Sequence, residues 1–68
     1  MYEHLDEARR QYGYTLEVLA QAVNLSHKTV GNKIHGMGEF TFGEACAIHD
    51  RLFPHYDIRW LFERAKNS

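Results

Sequence analysis

Side chains that begin and end helices divide this chain of 68 residues into short segments. The residues whose side chains can cap a helix N-terminus are Thr15, Ser26, Thr41 and Asp57. The residues that can end a helix are Gly13, Asn24, Gly36 and Pro54. Between these points apolar residues recur every three or four positions, which is the period of a helix buried along one face. No segment shows the alternation of a strand, so the sequence predicts an all-α fold.

The same pattern predicts five helices around a single core. We expect the helices at about residues 2–12, 16–24, 27–35, 42–53 and 58–62. Thr41 and Glu44 have the spacing of a capping box, in which each side chain accepts the backbone N–H of the other residue. The inward positions predict a core that contains Leu5, Leu19, Ala20, Val23, Leu25, Val30, Ile34, Phe42, Ile48, Leu52, Ile58 and Leu61. A chain of this length has room for one such core and therefore for one domain.

The composition excludes several classes of protein. Hydrophobic residues make up 44% of the chain and charged residues 25%, which is typical of a globular protein and not of a disordered one. Cys46 is the only cysteine, so an internal disulfide is excluded, and we interpret this residue as a small buried side chain. No apolar run approaches the ~18 residues of a membrane span, and no signal peptide opens the chain. We therefore expect a complete cytoplasmic protein that does not enter a membrane.

The histidines do not predict a metal site or a catalytic centre. The chain has five histidines, but no two of them are four residues apart, as in a helical zinc site. Cys46, His49 and Asp50 lie on one predicted helix, where side chains rarely converge as a nucleophile and its base. We expect no cofactor, no metal and no enzymatic activity.

Charge is distributed unevenly along the chain. No acidic residue occurs between Glu17 and Glu39, and this gap contains Lys28 and Lys33. The net charge of the whole chain is −1, so the gap carries +2 and the remainder −3. A local electropositive region favours a polyanionic partner, although nucleic-acid-binding domains are usually basic overall.

The third predicted helix lies within this gap and has a polar outer face. At about 100° per residue, Lys28, Gly31, Asn32 and His35 are predicted on the side opposite the apolar residues, with His27 in the exposed first turn. Lysine can bond guanine, asparagine can bond adenine, and histidine can donate or accept a hydrogen bond. Ser26, at the start of the helix, can also reach a base or a phosphate. Gly31 has two interpretations, a tolerated surface glycine or a gap that allows close approach to the groove floor.

The segment from Thr15 to Gly36 resembles the helix-turn-helix of the phage repressor and Cro superfamily. The matching positions are Ala20, Leu25, Ser26 and Val30, and the likeness extends over roughly residues 5–62. It implies a compact five-helix repressor-like domain with a helix-turn-helix at about residues 15–36. The base-reading positions that the resemblance implies are His27, Lys28, Gly31 and Asn32, with Gln21 and Lys33 in reach of phosphates. The chain departs from the family where Asn24 replaces glycine, Leu16 replaces glutamine and Lys33 replaces an apolar residue.

Two functions from different classes follow from this resemblance. The first is a small phage or prophage transcriptional regulator of a bacterial host, which binds double-stranded operator DNA as a homodimer with the third helix in the major groove. The alternative is an antirepressor, or modulator of repression, of the same fold that binds a partner repressor protein. Trp60 and Phe62 are candidate interface residues for the second function, and Trp60 is equally open to interpretation as a side chain at the edge of the core. An antitoxin is a third alternative.

Overall fold

The computed structural model describes residues 1–64, which form five α-helices and no strand. The helices are α1 (Glu3–Tyr12), α2 (Leu16–Val23), α3 (His27–Ile34), α4 (Phe42–Leu52) and α5 (Ile58–Leu61). The predicted all-α fold is confirmed, and the bounds of the helices agree with the predicted ones to about one residue. In the range that the structure describes, none of these helices has the length and apolar character to cross a bilayer.

The predicted caps form the predicted hydrogen bonds. Each N-cap side chain accepts the backbone N–H of the residue three positions later, at 2.9–3.3 Å: Thr15 from Val18, Ser26 from Thr29, Thr41 from Glu44 and Asp57 from Trp60. The Glu44 carboxylate accepts the Thr41 N–H at 3.0 Å and completes the capping box. At the other ends of α1 and α2, Gly13 and Asn24 adopt the left-handed conformation. These local bonds satisfy backbone groups that a helix cannot satisfy alone.

Most of the predicted core is confirmed. The predicted residues that are buried are Leu5, Leu19, Ala20, Val30, Ile34, Ile48 and Leu61. The predicted residues that are only half-buried are Val23, Leu25, Leu52 and Ile58. Four apolar residues outside the prediction are also buried, namely Tyr2, Ala8, Ala45 and Phe53. Helix α2 packs against α3 and α4, α1 packs against α3 and α5, and α4 also packs against α5.

The prediction that Phe42 belongs to the core is wrong, because its side chain is 82% exposed. Phe42 is the first residue of α4, and the buried side of that helix runs through Ala45 and Ile48. At 3.6 residues per turn, Phe42 lies roughly a quarter of a turn from this side, in a first turn that extends past the core. Phe53, which follows the last residue of α4, is buried instead.

The N-terminal residues close the core next to the end of α3. The backbone N–H of Tyr2 donates to the Ile34 carbonyl at 2.9 Å, and the Tyr2 hydroxyl accepts the Phe40 N–H at 3.1 Å. The Tyr2 ring meets the rings of Phe40 and Phe62 edge-on, with centroids 5.1 and 6.1 Å away. Tyr2 therefore fixes the end of α3 relative to the loop that leads into α4.

Candidate nucleic-acid interface

A three-residue turn positions α3 against α2. Asn24 takes the left-handed conformation (φ 58°, ψ 41°), and the next N–H, that of Leu25, donates to the Ala20 carbonyl at 3.1 Å. The Leu25 side chain packs against the core from the turn. Ser26 then caps α3, so residues 24–26 are the whole connection between the two helices. The small, buried Ala20 allows the two helices to pack closely.

Gly31 does not lie on the outer face of α3, so both interpretations of it as an outward residue are wrong. It is buried, and a Cβ atom built on it would lie 3.2 Å from the Cδ1 atom of Leu16 on α2. Gly31 follows buried Val30 by only 100° around the helix, which places it nearer the core side than Lys28. The glycine therefore allows contact between α2 and α3 and is not available to a ligand.

The other predicted residues of α3 do reach solvent. His27, Lys28, Asn32 and His35 are exposed, and the last three follow one another at helical spacing on a single face. Val30 and Ile34 on the opposite face are fully buried. We call the side of α3 formed by Lys28, Asn32 and His35, with His27 in the first turn, the outward face of α3. This face presents hydrogen-bonding groups to solvent, while the opposite side of the helix packs in the core.

Ser26 is exposed, but its hydroxyl is largely engaged in the cap of α3. It accepts the Thr29 N–H at 3.1 Å and donates to the Thr29 side-chain hydroxyl at 2.9 Å. One lone pair of the serine oxygen remains for an external donor. The observed role of the Ser26 hydroxyl is therefore to cap and position α3, and its contact with a base or a phosphate stays a prediction.

Lys33 is not the free flanking cation that the sequence predicted. Its ammonium group donates to the Glu44 carboxylate at 3.0 Å, and the two side chains are only 18% and 19% exposed. The same ammonium lies 5.8 Å from the centre of the Phe40 ring. In this structure a carboxylate of α4 is the partner of Lys33, and a phosphate contact by Lys33 stays a prediction.

Glu44 is held in its charged form by these contacts. Burial on its own would raise the pKa of Glu44, but the hydrogen bond from the Thr41 backbone, followed by the bond and the charge of Lys33, outweighs burial and lowers it. The pair joins the flank of α3 to the first turn of α4. Lys28 is then the only lysine on the outward face of α3.

Gln21 is exposed, but the structure does not group it with the outward face of α3. It lines an open depression of about 410 Å³ between the end of α2 and α4, together with Ala22, Val23, Asn24, Thr41, Gly43, Glu44, Ala47 and Arg51. None of the residues of the outward face lines this depression. The resemblance is the only basis for a phosphate contact by Gln21.

Trp60 and Phe62 are packed within the chain. The Trp60 ring is stacked on the His4 ring, with centroids 4.1 Å apart, and on the Tyr56 ring, with centroids 5.5 Å apart. Phe62 is half-buried against Tyr2 and Phe40. Trp60 packs against neighbouring rings and is also 39% exposed, so its two interpretations, an interface residue and a side chain at the edge of the core, both stay predictions.

Comparison with known proteins adds no assignment. No protein-family model, curated protein or solved structure matches this chain. Within residues 1–64, no three histidine, cysteine, aspartate or glutamate side chains lie together as a metal site would require.

Proposed function

We propose that this chain is a small transcriptional regulator of the phage repressor and Cro type, which binds operator DNA with the outward face of α3. The observation that supports this best is the combination of Lys28, Asn32 and His35 on one exposed face, with the opposite face of the same helix fully buried. No acidic residue occurs from α2 after Glu17 to the end of the α3 segment. Its place of action is the cytoplasm of a bacterial host.

The dimensions and chemistry of α3 suit the major groove. An α-helix with its side chains is about 10–12 Å across, and the major groove of B-DNA is about 12 Å wide, so the groove admits α3. Asn32 can bond the N6 and N7 atoms of adenine, and Lys28 can bond the O6 and N7 atoms of guanine. His35, at the end of the helix, can donate to either a base or a phosphate.

The electrostatic part of this binding is small. Lys33 is paired with Glu44, so one chain brings few unpaired cations to the phosphate backbone. Each phosphate contact contributes through release of a counterion, and few contacts give weak binding. We expect micromolar or weaker affinity for one chain near physiological salt, and a dimer would double the number of contacts.

The test is fluorescence anisotropy with duplexes from the DNA that flanks the gene, compared with scrambled duplexes, over a series of salt concentrations. We expect Asn32→Ala to reduce the preference for the specific duplex, and Lys28→Ala to weaken binding to it. Arg59→Ala is the matched control, because it removes one positive charge from α5 and should leave binding unchanged. Equal binding to flanking and scrambled DNA by the wild-type chain, or equal losses from Lys28→Ala and Arg59→Ala, would contradict the proposal.

A second candidate is an antirepressor that binds a repressor protein. The pairing of Lys33 with Glu44 and the net charge of −1 favour it, because both reduce attraction to DNA. Phe42 is 82% exposed and is an apolar side chain that a protein partner could bury. Calorimetry with the repressor encoded beside the gene tests this candidate. We expect affinity that changes little with salt and falls in Phe42→Ala, whereas steep salt dependence with no effect of Phe42→Ala would count against it.

A further inference from the structure

His49, on α4, makes two hydrogen bonds whose acceptors both require a ring proton. Its Nδ1 atom lies 2.8 Å from the Asp50 carboxylate, and its Nε2 atom lies 2.7 Å from the Tyr56 backbone carbonyl. A neutral imidazole carries one N–H and can donate only one of these bonds. An ionised carboxylate and a carbonyl have no proton to give, so both bonds form together only when His49 is an imidazolium ion.

The surroundings of His49 favour that charge. The hydrogen bond that His49 donates to Asp50 raises the pKa of His49 most strongly, burial opposes it, and the Tyr56 carbonyl and the charges of Asp50 and Asp57 raise it further. The His49 side chain is 19% exposed. Asp50 belongs to α4 itself, and Asp57 caps α5, so the facing carboxylates come from both sides of the connection between α4 and α5.

Tyr56 connects His49 to the aromatic side chains of α5 and α1. Its ring is stacked on Trp60, which is stacked on His4, and the Trp60 carbonyl is 2.7 Å from His4 Nδ1. The Tyr56 hydroxyl also reaches Gln11 of α1, at 3.4 Å. The position of Tyr56 therefore affects how α5 lies against α1.

We propose that protonated His49 is a pH-sensitive latch that holds the connection between α4 and α5, and with it the stack of Tyr56 on Trp60. Loss of the proton leaves one of the two acceptors without a donor, and the bond to the Tyr56 carbonyl competes with the bond to Asp50. The group has a raised pKa in the folded state, so its contribution to stability is complete below the ordinary value of 6.5 and is lost as the pH rises through the folded-state pKa. The latch is closed below the folded-state pKa of His49 and opens as the pH rises through it.

The test combines NMR of the His49 ring with fluorescence of Trp60, the only tryptophan. We expect both ring nitrogens of His49 to be protonated below its ordinary pKa of 6.5, and the midpoint of its titration to lie above that value. As the pH is raised, Trp60 emission should change with the same midpoint as the His49 signals. A titration midpoint of His49 at or below 6.5, or constant Trp60 emission while His49 titrates, would overturn the proposal.

Three variants separate the latch from other sources of pH dependence. Asp50→Asn keeps an acceptor but removes the charge, so the midpoints of His49 and Trp60 should move together to lower pH. His4→Phe keeps a ring on Trp60 but removes the titratable group that touches it, and the transition should persist. His55→Gln removes an exposed histidine of the same connection and should change nothing. An unmoved midpoint in Asp50→Asn, or loss of the transition in His4→Phe, would contradict the role of His49.

Discussion

The contact between Lys33 and Glu44 predicts a substitution that lowers stability and raises DNA affinity. Glu44→Gln removes the carboxylate charge, while the new amide oxygen can still accept the Thr41 N–H of the capping box. Lys33 then keeps its place on α3 but has no counter-charge. Stability and affinity should therefore change in opposite directions, which few unrelated effects of a substitution would produce.

The expected loss of stability follows from the burial of the pair. Both side chains are less than one-fifth exposed, and the two charged atoms are 3.0 Å apart. Exposed ion pairs contribute about 0.2–1 kcal/mol, and hydrogen bonds to charged groups contribute about 1.5–3 kcal/mol. We expect Glu44→Gln to lower the free energy of unfolding by an intermediate amount, about 1–2 kcal/mol. Urea denaturation followed by circular dichroism measures it.

The expected gain in affinity follows from one additional free cation beside α3. If the Lys33 ammonium neutralises one more phosphate, the slope of log affinity against log salt becomes steeper by about 0.9. Near a salt concentration of about 0.15 M this corresponds to roughly fivefold tighter binding. Anisotropy measured over a salt series gives both numbers.

Glu7→Gln is the matched control, because it removes the same charge from an exposed site on α1 and leaves Lys33 paired. It should not steepen the salt slope. An unchanged salt slope in Glu44→Gln, or the same gain in DNA affinity in Glu7→Gln, would refute the reasoning that Glu44 keeps Lys33 from contacting DNA. The loss of stability is a separate result, and it tests the ion pair even if the chain binds a protein.

Three further predictions concern the fold. Leu19→Ala should lower the free energy of unfolding by about 2–5 kcal/mol, because Leu19 is fully buried, and an unchanged melting temperature would remove it from the core. Gly31→Ala should gain less stability than the ~1 kcal/mol that an exposed helix glycine gains from the same change, because the new methyl group would lie 3.2 Å from the Leu16 Cδ1 atom, and a gain of the full amount in urea denaturation would contradict the packing. Because the pKa of Glu44 is lowered from 4.5, its contribution to stability is present above that value and is lost as the pH falls through the folded-state pKa. Urea denaturation at several acidic pH values should therefore show the difference between wild type and Glu44→Gln shrinking, and a constant difference would count against the shift.

The helices could be predicted because their signals are local. Thr15 and Ser26 cap residues only three positions away, and Asn24 ends α2 through its own backbone conformation. The buried positions of α3 could also be predicted from the helical period alone. The prediction for Phe42 was wrong because a residue in the first turn of a helix can follow the apolar pattern and still lie beyond the core.

The contacts that change the candidate site are not local. Glu44 is eleven residues from Lys33, and His4 is 56 residues from Trp60. Nothing in the spacing of residues along the chain identifies which carboxylate will meet which lysine once the helices pack. Gly31 could have been placed better from the sequence, because its angle from Val30 already puts it on the flank nearer the core.

The neutralisation of Lys33 also determines which measurement separates the two proposed partners. Phosphate contacts supply affinity for any DNA, while base contacts supply the difference between one sequence and another. Because Lys33 is paired with Glu44, α3 loses mainly a phosphate contact, and it keeps Asn32 and Lys28 for contacts with bases. Weak binding on its own is therefore what both functions predict. The ratio of affinities for flanking and scrambled DNA distinguishes them, because a regulator retains this ratio when total affinity is low, and a chain that binds only a repressor has a ratio near one.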